Sequence, residues 1–196
     1  MTPECSTLKP NRVMMLRLIG GTVLSFMLAH GVHALESNLP PALQQTIEDV
    51  ARKWPAVAHL DAGSVARLMA DKSAVVFDVR SQEEYAVSHL DGAVWVDPSI
   101  GAAAFLEQHG ASVKGKTAVF YCSVGVRSSK LAARVADGVK AAGATGMGEL
   151  RGGIFAWGGE GRPLVDAKGA TDKVHGYDST WGRLVKNPAT LETKPR

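Results

Sequence analysis

From Ala62 onward, short apolar runs alternate with stretches whose apolar residues recur every three or four positions. Runs of four or five apolar residues suit strands buried on both faces, and the 3.6-residue stretches between them suit helices that cover those faces. The pattern predicts strands over 73–77, 93–96, 117–121 and, more weakly, 147–150. It predicts helices over 62–70, 82–87, 102–108 and 128–142. The last helix has the cleanest period, with Leu131, Val135, Val139 and Ala142 in line and Gly143 placed for a left-handed stop. Ahead of the alternation, Ala42 to Trp54 is amphipathic and closes at Pro55, which predicts a short N-terminal helix. Behind it, Arg151-Gly152-Gly153 leads into a short helix holding Phe155 and Trp157. From Gly161 the chain is polar and aperiodic, so a draped tail is expected, frayed at its end, with Val174, Tyr177, Trp181 and Leu184 as anchors. Strands alternating with helices make this an α/β chain around a buried parallel sheet.

The N-terminus carries a different pattern. Arg12 and Arg17 precede an apolar core, Leu18 to Ala29, and a small-residue end at Val32-His33-Ala34. This is the anatomy of a secretory leader, with Met14 or Met15 as alternative starts and cleavage before Leu35. The apolar run is shorter than the about 20 residues that span a bilayer, so export is expected over an uncleaved anchor. The expected division is a signal peptide over 1–34, a helical extension over 35–58, one domain over 59–165 and a tail over 166–196. The destination is then the periplasm or the outside of the cell. Membrane contact is expected only through an uncleaved leader.

Composition narrows the function. At 45% hydrophobic and 21% charged residues, the 196-residue chain is an ordinary globular one, neither disordered nor coiled-coil. The net charge of +3 falls to +1 once the leader, with three cations and Glu4, is removed, so nucleic acid is not an expected partner. Cys5 and Cys122 are the two cysteines, and Cys5 lies ahead of the leader core. The exported chain would hold one thiol with no internal partner in an oxidising compartment, so it is either buried and inert or reactive.

The segment Val119 to Ser128 favours the reactive reading. A buried strand ends at Cys122, a loop with Gly125 follows, and a helix begins at about Arg127 or Ser128. Ligands bind at the carboxyl ends of strands in open parallel sheets. There the loop amides and the positive end of the helix dipole converge on one point and favour an anion, first of all the Cys122 thiolate. Arg127 offers a planar fork of donors for an oxyanion substrate.

Four stretches together resemble the rhodanese, or sulfurtransferase, family in its single-domain form. They are Asp78-Val79-Arg80 with Glu83-Glu84-Tyr85, His89-Leu90-Asp91-Gly92-Ala93, Tyr121-Cys122 through Arg127-Ser128, and Leu150 to Ile154 with Ala156-Trp157. They run in family order over about 59 to 165. The resemblance implies a rhodanese-like fold with a central parallel five-stranded sheet flanked by helices, and a catalytic cysteine matching Cys122. It implies a substrate-binding loop of Ser123, Val124, Gly125, Val126, Arg127 and Ser128 that wraps the transferred sulfur. The implied reaction moves a sulfane sulfur from a donor such as thiosulfate to cyanide, a thiol or a protein acceptor, through a Cys122 persulfide. A sulfur or redox carrier without small-donor turnover is an alternative, as is a phosphatase or arsenate reductase. Against the latter pair, four residues rather than five separate Cys122 from Arg127, a loop better sized for sulfur than for phosphorus.

Asp78 and Arg80 end a neighbouring strand and are read as structural support, with Asp78 tying backbone and Arg80 pairing with Glu84. His89 is expected to bond backbone at the Asp91-Gly92 turn. Gly152-Gly153 is expected to allow close backbone approach to the loop, and Val124 and Val126 to make its mouth apolar. No metal site and no cofactor are read, since His59, His109 and His175 lack ligand spacing. A monomer is expected.

Overall fold

The computed structural model describes residues 39–195, so the expected leader, Cys5 and the first residues of the extension lie outside them. Helix α1, Pro41–Lys53, buries Leu43, Ile47 and Val50, the i, i+4, i+7 face of its sequence. Strand β1, His59–Leu60, follows, too short to be foreseen from pattern. Then come α2, Ala62–Ala70, capped by the Asp61 carboxylate, and β2, Ala74–Asp78. Helix α3 is Gln82–Val87, strand β3 Val94–Trp95 and helix α4 Ala102–Val113. Strand β4 is Thr117–Tyr121, α5 Val126–Ala141, β5 Gly146–Leu150 and α6 Gly153–Gly159. The expected elements are all present, with α4 longer, β3 shorter and α5 beginning two residues earlier than periodicity suggested.

The five strands form one parallel sheet in the order β1-β5-β4-β2-β3. This is the α/β architecture that the sequence resemblance implied. Side-chain alternation along β4 divides the core. Val119 and Tyr121 join the layer built with α1, α2 and α6, whereas Ala118, Phe120 and Cys122 face the layer built with α4 and α5. Leu131, Val135 and Val139 of α5 are buried in that second layer, each worth about 1.5–3 kcal/mol in apolar transfer.

The tail departs from a simple drape. Strands β6, Leu164–Asp166, and β7, Gly169–Thr171, make an antiparallel hairpin. Strand β8, Val174–His175, pairs in parallel with β9, Leu191–Glu192, around a 3-10 turn at Trp181–Leu184. Val174 is buried, and Trp181 and Leu184 pack on the core as expected of anchors. Tyr177 does not anchor: it is 53% exposed and holds a left-handed backbone, φ 67°. Among the described residues, no helix is long and apolar enough to cross a membrane.

Candidate functional site

Cys122 directly follows β4, the middle strand, and so emerges at the carboxyl edge of the sheet. Its residue is 1% exposed and forms the floor of a cavity of about 180 Å³. Ser123, Val124, Val126 and Arg127 line that cavity from the loop, and Tyr177 and Trp181 line it from the tail. The backbone N–H of Gly125 donates to Cys122 Sγ at 3.2 Å. Gly125 is required twice over. Its φ is 103°, and a Cβ there would sit 2.9 Å from Glu149 Oε2 and 3.3 Å from Val50 Cγ1. Helix α5 starts at the next residue, with its positive end toward the sulfur. From beneath, the amides of Ile154 and Phe155 in α6 donate to the carbonyls of Cys122 and Ser123 at 2.9 and 3.1 Å. These bonds leave the loop carbonyls occupied on the side away from the cavity. Gly153 makes the approach feasible, because a Cβ there would run into the Cys122 carbonyl and Ser123 backbone.

Arg127 lines the cavity as the sequence suggested, with three of its five N–H donors already engaged by the protein. Nη1 donates to Glu84 Oε2 at 2.7 Å, and Nη2 donates to Glu84 Oε1 at 2.8 Å and to Ser123 Oγ at 2.9 Å. Ser123 in turn donates to Glu84 Oε1 at 2.9 Å. Glu84 also closes the capping box of α3, accepting from the Ser81 amide at 3.0 Å. Burial alone would raise the Glu84 pKa, but the hydrogen bonds and charge of Arg127 outweigh it and hold the carboxyl down at about 2. Burial likewise tends to lower the pKa of Arg127, yet its contacts with Glu84 and Cys122 raise it. The guanidinium also lies over the Tyr177 ring, 5.2 Å from its centroid.

Three expectations need correction. Arg80 does not pair with Glu84, because Asp78 is nearer: Nη2 donates to Asp78 Oδ2 at 2.6 Å and to the Ser88 carbonyl at 2.5 Å. Both residues are fully buried behind the loop, which places them as scaffold at the same sheet edge. Ser128 is also fully buried and lies outside the cavity, so its place is underneath the sulfur rather than against a substrate. Gly125 meets the sulfur through its amide alone. His89 bonds backbone on α3 rather than at the Asp91-Gly92 turn, Nδ1 to the Tyr85 carbonyl at 3.0 Å.

Sequence reasoning named Ser128 but missed the groups behind it. The Ser128 hydroxyl lies 3.7 Å from Cys122 Sγ and 3.2 Å from Glu149 Oε2. Glu149 Oε1 lies 2.7 Å from His59 Nδ1, and His59 Nε2 lies 3.1 Å from the Trp54 carbonyl. Burial raises the Glu149 pKa, against the pull of His59, and the hydrogen bond to Glu149 raises that of His59. A buried charge inside the strand Gly146–Leu150 was the available signal for Glu149. The Ser81-x-x-Glu84 spacing was the signal for a fixed Glu84. Among the described residues, no cluster of three or more His, Cys, Asp or Glu could hold a metal ion.

Several solved structures resemble this chain in part. The chain superposes on a thiosulfate sulfurtransferase from Pseudomonas aeruginosa at 21% identity and TM-score 0.48, covering 63% of this chain and 23% of that one. A rhodanese-related protein from Thermoplasma volcanium gives 23% identity and TM-score 0.42, over 55% and 96% of the two chains. A human single-domain sulfurtransferase gives 25% identity and TM-score 0.38, over 50% and 93%. No curated protein matches the sequence. The sequence model of the rhodanese-like domain matches residues 61–160, more than half of the chain, from α2 through α6 with strands β2 to β5. On that match, the chain belongs to the rhodanese-like domain family.

Proposed function

We propose that this protein is a sulfurtransferase that carries a sulfane sulfur on Cys122, taken from a donor such as thiosulfate and passed to cyanide, a small thiol or a protein thiol. The observation that carries the reading is the sulfur of Cys122 under the Gly125 amide, at the start of α5 and at the floor of the cavity. The thiolate attacks the outer sulfur of thiosulfate, the S–S bond to the sulfonate breaks, and sulfite leaves with the bonding pair. The resulting persulfide anion lies among preorganised donors, as a developing oxyanion would in an acyl-transfer site. An acceptor nucleophile then attacks the terminal sulfur, and the Cys122 thiolate is the leaving group.

The occupied Arg127 fork favours a second reading within the same chemistry. With three of the five guanidinium N–H groups held by Glu84 and Ser123, a carrier that is loaded and unloaded by protein partners fits as well as a turnover enzyme on thiosulfate. The leader-like residues 12–34 support export, where a sulfur carrier would meet oxidised sulfur species.

Incubation with thiosulfate is expected to add about 32 Da to the intact mass, cyanide to remove it, and Cys122→Ser to prevent it. Wild-type protein that gains no mass from any sulfane donor would overturn the proposal. Hydrolysis of an aryl phosphate that disappears in Cys122→Ser would move the reading to the phosphatases.

A further inference from the structure

The cavity side of Cys122 accounts for a sulfur site, but the buried side holds three groups that the reaction above does not use. A serine hydroxyl has one proton. Two acceptors compete for that of Ser128, Cys122 Sγ at 3.7 Å and Glu149 Oε2 at 3.2 Å. The chain of contacts also settles the state of the pair behind it. The Trp54 carbonyl only accepts, so His59 Nε2 carries a hydrogen. At 2.7 Å, His59 Nδ1 and Glu149 Oε1 must then share a single proton, because two bare acceptors at that distance would repel. Whichever atom holds it, Glu149 Oε2 remains an acceptor facing Ser128.

We infer that Glu149, oriented by His59, is a positioning residue that competes with Cys122 for the Ser128 hydroxyl proton and so sets how readily Cys122 bears a negative charge. The inference rests on reading Cys122 as the reactive sulfur, though not on any particular donor. The raised pKa values of both members agree with a pair that keeps its shared proton. The groups that face the pair are few. Arg151, just past β5, acts on both members through its charge; Ser128 and, beyond it, Cys122 and Arg127 stand on the loop side; and α1 contributes only the Trp54 carbonyl next to it. Glu149 does not line the cavity, and Glu149→Gln keeps its size and shape beneath the loop.

The test is the rate of Cys122 alkylation by iodoacetamide, read by intact mass from about pH 5 to about pH 10. In Glu149→Gln the amide nitrogen serves His59 Nδ1, and a neutral carbonyl replaces the acceptor facing Ser128. The hydroxyl then turns to the sulfur, and alkylation near neutral pH is expected to rise about three- to tenfold while the plateau at high pH is unchanged. Ser128→Ala is expected to slow alkylation at neutral pH, and in that background Glu149→Gln is expected to change it less than about twofold. Superimposable wild-type and Glu149→Gln curves would overturn the inference, as would an equal rise with Ser128 absent. If Glu149→Gln does not fold, an unchanged curve in Ser128→Ala overturns it alone. Alkylation needs no sulfur donor, so a chain that fails to load sulfur can still pass this test, and one that loads sulfur can fail it.

Discussion

Glu84 and Glu149 flank the same loop, one at the edge of its cavity and one behind it, and both are almost wholly removed from water. Their pKa values move in opposite directions. Burial raises both, and the partner decides the outcome. Glu84 meets a permanent cation through two parallel hydrogen bonds, whereas Glu149 meets an imidazole that can give its proton up. One side of Cys122 is thus a locked ion pair and the other a shared proton. A buried carboxylate does not announce its role by burial; the chemistry of the facing group does that.

Removing the cation should break the comparison most severely. Arg127→Ala leaves Glu84 buried without a counter-charge, and an unfolding free energy lower by about 3 kcal/mol is expected in urea titrations. Adding Glu84→Gln should return a large part of that loss, since the stranded charge is then gone. The next effect is the pH dependence of stability, where the two sides carry opposite signs. The folded pKa of Glu84 lies below its ordinary 4.5, so its contribution is present above pH 4.5 and is lost as pH falls toward about 2. The folded values of His59 and Glu149 lie above their ordinary 6.5 and 4.5. Both contributions are therefore present at low pH; that of Glu149 fades as pH rises beyond 4.5 and that of His59 as it rises beyond 6.5. Denaturant midpoints across pH should show Glu84→Gln flattening the acid limb and Glu149→Gln flattening the alkaline one. A single variant that flattened both would refute the division. The smallest effect is expected at Tyr177→Ala, which removes a ring from Arg127 at an exposed site. It should cost about 0.5–1 kcal/mol by thermal unfolding and quicken alkylation by bulky reagents more than by small ones.

Much of this was legible in the residues themselves. The apolar runs marked β2, β4 and β5, the 3.6-residue period marked α5, and the strand–Cys–Gly–Arg segment marked the loop, because those features are local in sequence. The partnerships were not local. Arg80 was expected to reach Glu84, but Asp78 is two residues away and already ordered on the same strand end, while Glu84 faces Arg127 across the loop. His59 and Glu149 meet only because β1 pairs with β5, a register of two residues that no run of hydrophobics could announce. The aromatic roof was hidden for a similar reason. Tyr177 and Trp181 lie in an aperiodic stretch, and only their tertiary placement turns them toward Cys122.

That roof lies beyond residue 160, outside the span that defines the family, while the sulfur it covers lies within. Changes in that segment therefore redraw what reaches Cys122 without altering the loop that holds it. Exchanging this segment is a direct way to change which molecules approach that sulfur.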